Sequence, residues 1–118
     1  MPAELALELA TRDGVVIASF AGELDRADTD RLREKLLDAL TSGGPGLVCD
    51  LSLLSYIDSA GAHLLHRLSR ALQTDGQRMA LVLPTESTPR RVLELVGITE
   101  AIALFESVDD AVTHLSTG

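Results

Sequence analysis

Tryptophan is absent, and one tyrosine and two phenylalanines are all the aromatic side chains in 118 residues. The core must therefore be aliphatic, and a stacking platform for single-stranded nucleic-acid bases cannot be assembled. The single cysteine, Cys49, excludes an intrachain disulfide, and in Leu47-Val48-Cys49 it reads as a small buried hydrophobe rather than a reactive thiol. Positive charge is scarce: 10 Lys and Arg stand against 18 Asp and Glu, a formal net charge of −8. The electrostatic footprint of a nucleic-acid or anionic-membrane binder is missing, so the expected partner is a protein or a small molecule, with no direct nucleic-acid or membrane contact. No apolar run approaches the ~20 residues that span a bilayer. Met1-Pro2-Ala3-Glu4 also lacks the basic and apolar regions of a signal peptide, and a cytoplasmic location is expected. What is present is a 46% share of hydrophobic residues, enough for the core of one domain over residues 1–118, with no linker, repeat or low-complexity tract.

Leu5, Leu7 and Leu9 alternate, and after Thr11-Arg12-Asp13-Gly14 comes the β-branched run from Val15 to Phe20. Asp-Gly between two such runs predicts a hairpin. Beyond Gly22-Glu23-Leu24-Asp25, leucines at 32, 36, 37 and 40 have helical spacing, with Asp25, Asp28 and Thr29 as caps and Ser42-Gly43-Gly44-Pro45-Gly46 as the stop. Leu47 to Leu51 is a short apolar run that does not alternate, as in a strand covered on both faces, and it belongs at the centre of a sheet. A second helix begins at or just after Asp58-Ser59, where Gly61, Leu64, Leu65, Leu68 and Leu72 form one stripe that ends at Asp75-Gly76. Met79 to Leu83 is the next strand. Thr88-Pro89 opens a short helix that Gly97 closes, Ala101 to Phe105 is the last strand, and Ser107 caps a final helix with Asp110 as its capping-box partner. The order β-β-α-β-α-β-α-β-α predicts a mixed α/β sheet, with an N-terminal antiparallel hairpin followed by parallel strands under about four helices.

In such sheets reactive groups collect where strands give way to helix N-termini, and the most polar junction runs from Asp50 to Gly61. Four readings compete there. Ser59 as a hydrolase nucleophile lacks the glycine two residues before it, since Ile57 holds that place, and none of His63, His66 and His114 has a recognisable signature. Asp50 as a phosphoryl-accepting aspartate of a receiver domain requires a lysine late in the chain, whereas the only lysine is Lys35. His63 and His66 as metal ligands lie beside Arg67 and Arg70, cations that disfavour a divalent ion, so a solvated or partner-facing surface suits them better. Ser59 as a regulatory phosphoserine would sit at a helix N-terminus, whose free N–H groups and dipole accommodate a phosphate of about −1.5 to −2 charge. Against it stands the plainer role of Asp58 or Ser59 as a helix cap, which spacing alone favours.

Three segments in register, Gly22-Glu23-Leu24-Asp25, Leu47-Val48-Cys49-Asp50-Leu51-Ser52 and Tyr56-Ile57-Asp58-Ser59-Ala60-Gly61, resemble STAS domains, in particular stand-alone bacterial anti-sigma-factor antagonists. The resemblance covers nearly the whole chain. It implies partner switching: the unmodified antagonist binds an anti-sigma factor that is also a serine kinase and frees the sigma factor. Phosphorylation releases the antagonist, and a serine phosphatase resets it. By position in the motif the phosphorylated residue is Ser59, and the docking surface includes Asp25, Asp58, Ser59, Ala62, His63 and His66. Ala62 stands where the family commonly has a leucine that touches the kinase, and His63 where a small residue is usual. Nucleotide binding has been proposed for some family members, but no Gly-rich phosphate cradle is visible, and no cofactor or metal is expected. The implied protein is a ligand and a substrate, not an enzyme. The alternative is a constitutive STAS scaffold subunit of a lipid transporter or stress-signalling complex, in which Ser59 is only a cap.

Overall fold

A computed structural model describes residues 4–40 and 44–117. Its five-stranded sheet is ordered β1-β2-β3-β4-β5, from β1 (Ala6–Arg12), β2 (Val15–Leu24), β3 (Gly46–Ile57), β4 (Arg78–Val82) and β5 (Ala103–Phe105). β1 and β2 are antiparallel and all later neighbours parallel. The hairpin turns at Asp13 (φ 53°) and Gly14 (φ 80°), left-handed conformations that a two-residue turn matching the strand twist requires.

Among the described residues, four helices connect or follow the strands: α1 (Thr29–Ala39), α2 (Ser59–Thr74), α3 (Thr88–Leu95) and α4 (Val108–Thr117). α1, α2 and α3 cover one face, where Leu32, Leu36, Leu64, Leu65, Leu68, Leu72 and Leu93 join Ala18, Phe20, Cys49 and Leu51 in the main core. α4 covers the other face, packing Ala111, Val112 and Leu115 on Val15, Ile17, Val48, Ala80 and Val82. β3 is central and apolar toward both layers, as its composition predicts. Burial pushes the Cys49 thiol up to about 12, with the neighbouring Asp50 charge adding to the shift, so the thiolate is not accessible at neutral pH.

The structure departs from the expected boundaries in several places; β4 runs one residue earlier than Met79 to Leu83, and β5 begins at Ala103 rather than Ala101, which closes a 3-10 turn. The last turn of α1 closes on Leu40; of the stop expected over Ser42-Gly43-Gly44-Pro45-Gly46, Ser42 and Gly43 lie outside the described residues, while Gly44 and Pro45 lead into β3 at Gly46. Ser87, one residue before Thr88, caps α3 by accepting from the Arg90 N–H at 3.2 Å. β3 does not end at Leu51 but runs to Ile57, because β2 extends alongside it as far as Leu24. Two register shifts, between Ser19 and Ala21 and between Gly22 and Glu23, each admit one extra β3 residue. The Asp50 carboxylate accepts from the Ser52 N–H at 3.1 Å and from the Ser52 hydroxyl, satisfying a donor that the first bulge frees from the ladder. At the second, the Ser55 hydroxyl donates to the Gly22 carbonyl at 3.0 Å, where Gly22 adopts φ 98°.

Candidate functional site

The end of β3 and the end of β2 arrive side by side, with Leu24 paired to Ile57, and each hands its chain to a helical turn. Asp25 caps the first, a 3-10 turn over Arg26–Asp28, by accepting from the Ala27 N–H at 2.9 Å. Asp58 caps α2: its Oδ1 accepts from the Gly61 N–H at 2.8 Å. Its Oδ2 accepts from the Arg26 N–H at 3.1 Å, and its own N–H donates to the Leu24 carbonyl at 3.2 Å. One carboxylate thus ties the start of α2 to the turn after β2. Gly61 makes this approach sterically feasible, since a Cβ there would stand 2.9 Å from Leu24 Cγ, 3.0 Å from Ile57 Cγ1 and 3.1 Å from the Leu24 carbonyl oxygen.

Ser59 is the first residue of α2 and does not cap it, because Asp58 already does. Its side chain is exposed and makes no hydrogen bond among the described residues. It opens onto a shallow depression of about 360 Å³ shared with Arg26, Asp30, His63 and Arg67, and neither arginine forms an ion pair among the described residues. No hydrogen bond joins Ser59 to His63. Asp25 and Asp58 line an adjoining open depression with Arg26, Ala27 and Tyr56.

Asp25, Asp58, Ser59 and His63 therefore come together at one end of the sheet. His66 lies one turn further along α2 and is half-buried. Ala62 is a correction: it is fully buried in the main core, because the first turn of α2 is pulled against β2 and β3, and it has no surface to offer a partner. A signal for this lay in the sequence, since Ala62 stands three residues before Leu65 of the apolar stripe and so shares its helical face. Arg26, Arg67 and Tyr56 were not among the docking residues expected from the sequence. Arg67 lies two turns along α2 on the face of Ser59 and His63, whereas Arg26 joins through the closeness of the 3-10 turn to α2, and Tyr56 through the end of β3 beside that turn.

Fold and site together define a class, a mixed α/β domain that presents an exposed serine at the start of the helix after its central strand. The STAS domain model matches residues 6–111, and the chain belongs to that family. It is 34% identical over 93 residues to the anti-sigma F factor antagonist of Lysinibacillus sphaericus, covering 78% of each chain. Over 118 residues it is 28% identical to the anti-sigma-F factor antagonist RsfB of Mycobacterium tuberculosis, covering 99% of this chain and 94% of that protein. The crystal structure of an anti-sigma factor antagonist from Mycobacterium paratuberculosis superposes with a TM-score of 0.85 at 26% identity, covering 98% of this chain and 97% of that one.

Proposed function

We propose that the protein is an anti-sigma-factor antagonist controlled by phosphorylation of Ser59, acting in the cytoplasm as a binding module without chemistry of its own. The unmodified form binds an anti-sigma factor with serine kinase activity and frees the sigma factor. The kinase then phosphorylates Ser59 and a serine phosphatase reverses it. The observation that carries this reading is the division of labour at the start of α2: Asp58 supplies the cap, leaving the Ser59 hydroxyl exposed and free for transfer. The names of the relatives supply the kind of partner.

The Gly61 and Ala62 N–H groups are taken by Asp58, leaving those of Ser59 and Ala60 beside a phosphate on Ser59; the helix end tolerates the phosphate, while about two negative charges beside Asp58 oppose docking. Incubation with the anti-sigma factor of the same organism and ATP is expected to add one phosphate, detected by intact mass, and Ser59→Ala to prevent it. Ser59→Asp is expected to weaken binding of that factor. Phosphate appearing at another residue, or binding indifferent to Ser59→Asp, would overturn the assignment, the latter in favour of a constitutive scaffold.

A further inference from the structure

Among the described residues, one half of a sheet face has no helix over it. α4 covers this face over Val15, Ile17, Val48, Ala80 and Val82. Past it the register sets out three rows: Glu8, Ser19 and Asp50, then Ala6, Ala21 and Leu53, then Glu23 and Tyr56. Their sequence neighbours Phe20, Leu24, Leu51, Leu54 and Ile57 are all in the main core on the opposite side, so these rows face outward. Leu53 is 75% exposed and Tyr56 45%. An apolar row thus lies between rows carrying carboxylates, and exposed apolar surface rimmed by charge is what an interaction site looks like. A leucine left in water forgoes the gain that burial would supply. Tyr56, in the next row, also lines the depression shared by Asp25 and Asp58, so the half-face as a whole adjoins the Ser59 end of α2.

The charge selects the occupant. A second copy would bring the same acidic rim and its own net charge of −8, and like charges facing each other across an interface are unfavourable. We propose that this half-face docks the same partner that Ser59 gates, through an apolar side chain flanked by lysine or arginine. Leu53 and Tyr56 are its anchors, and Glu8 and Asp50 its cation contacts. The proposal rests on the switching role of Ser59 and extends the contact well beyond the start of α2.

The test is the affinity of the purified anti-sigma factor for the wild-type chain and for Leu53→Ser, Glu8→Lys and Ser59→Asp, each at low and moderate salt. Leu53→Ser is expected to weaken binding about tenfold or more, as truncation of an interface anchor does. Glu8→Lys is expected to weaken it severalfold and to flatten the salt dependence. Both side chains are exposed, so melting temperatures should match the wild type. Unchanged affinity for both variants would overturn the docking proposal, and if Ser59→Asp still blocks binding the switching role survives that failure. Loss of sensitivity to Ser59→Asp alone would strike the switching role instead. A self-associated chain that Leu53→Ser dissociates would show the occupant to be a second copy and overturn the proposal as well.

Discussion

Asp58 holds two backbone donors from two different segments, the Gly61 and Arg26 N–H groups. Its replacement is therefore more costly than loss of an ordinary cap. Asp58→Ala is expected to cost ~1–2 kcal/mol in urea unfolding, with Asp58→Asn recovering part of it through the remaining carbonyl oxygen. Gly61→Ala should also destabilise, by ~1–3 kcal/mol, despite the better helix propensity of alanine, because the new methyl meets the Leu24 and Ile57 side chains and the Leu24 carbonyl. Cys49 makes a separate prediction about pH. Its thiol is raised from 9.0 to about 12 in the folded chain, so the unfolded chain loses this proton first. Its contribution to stability is complete below about pH 9 and is lost as pH rises toward about 12. Chemical unfolding at stepped pH should show that alkaline decline, and Cys49→Ala should reduce it.

Among the elements, β3 is the one the sequence describes least well. The hairpin announces itself through Asp13-Gly14, and α2 and α4 through Asp58 and Ser107, because turns and caps demand particular side chains at particular places. The Ser107 hydroxyl indeed accepts from the Asp110 N–H at 3.1 Å. From Leu51 onward β3 buries Leu51, Leu54 and Ile57, every third residue, a spacing that belongs to neither a strand nor a helix. Two bulges produce it, and their register depends on β2, which local sequence does not encode. The serine of the site was thus legible from its motif, whereas Tyr56 and Leu53 were not, since only the bulges turn them outward. At its other end β3 passes β4 so closely that a Cβ on Gly46 would lie 1.9 Å from the Arg78 carbonyl oxygen. Gly46→Ala should destabilise more than Gly61→Ala, beyond the ~1–3 kcal/mol typical of overpacking, as judged by the same unfolding experiment.

Among the described residues the molecule is asymmetric across its sheet, with α1, α2 and α3 on one side and α4 on the other. The Arg12 to Asp109 ion pair joins the hairpin to α4 at 2.7 Å, but both side chains are largely exposed, so Arg12→Ala should change stability by less than ~1 kcal/mol. Val112→Asp places a carboxylate in the buried contact of α4 and should lower the melting temperature sharply while raising binding of a hydrophobic dye. β3 also pairs with β4 only as far as Asp50 and Val82, and from there to Ile57 its one strand neighbour among the described residues is β2. Amide hydrogens in that second half, laddered on one side only, should trade with deuterated water sooner than those between Leu47 and Asp50. The same segment carries Leu53 and Tyr56, so a docked partner would slow the trade there first. The strand thereby keeps its own clock on whether the face beside it is occupied.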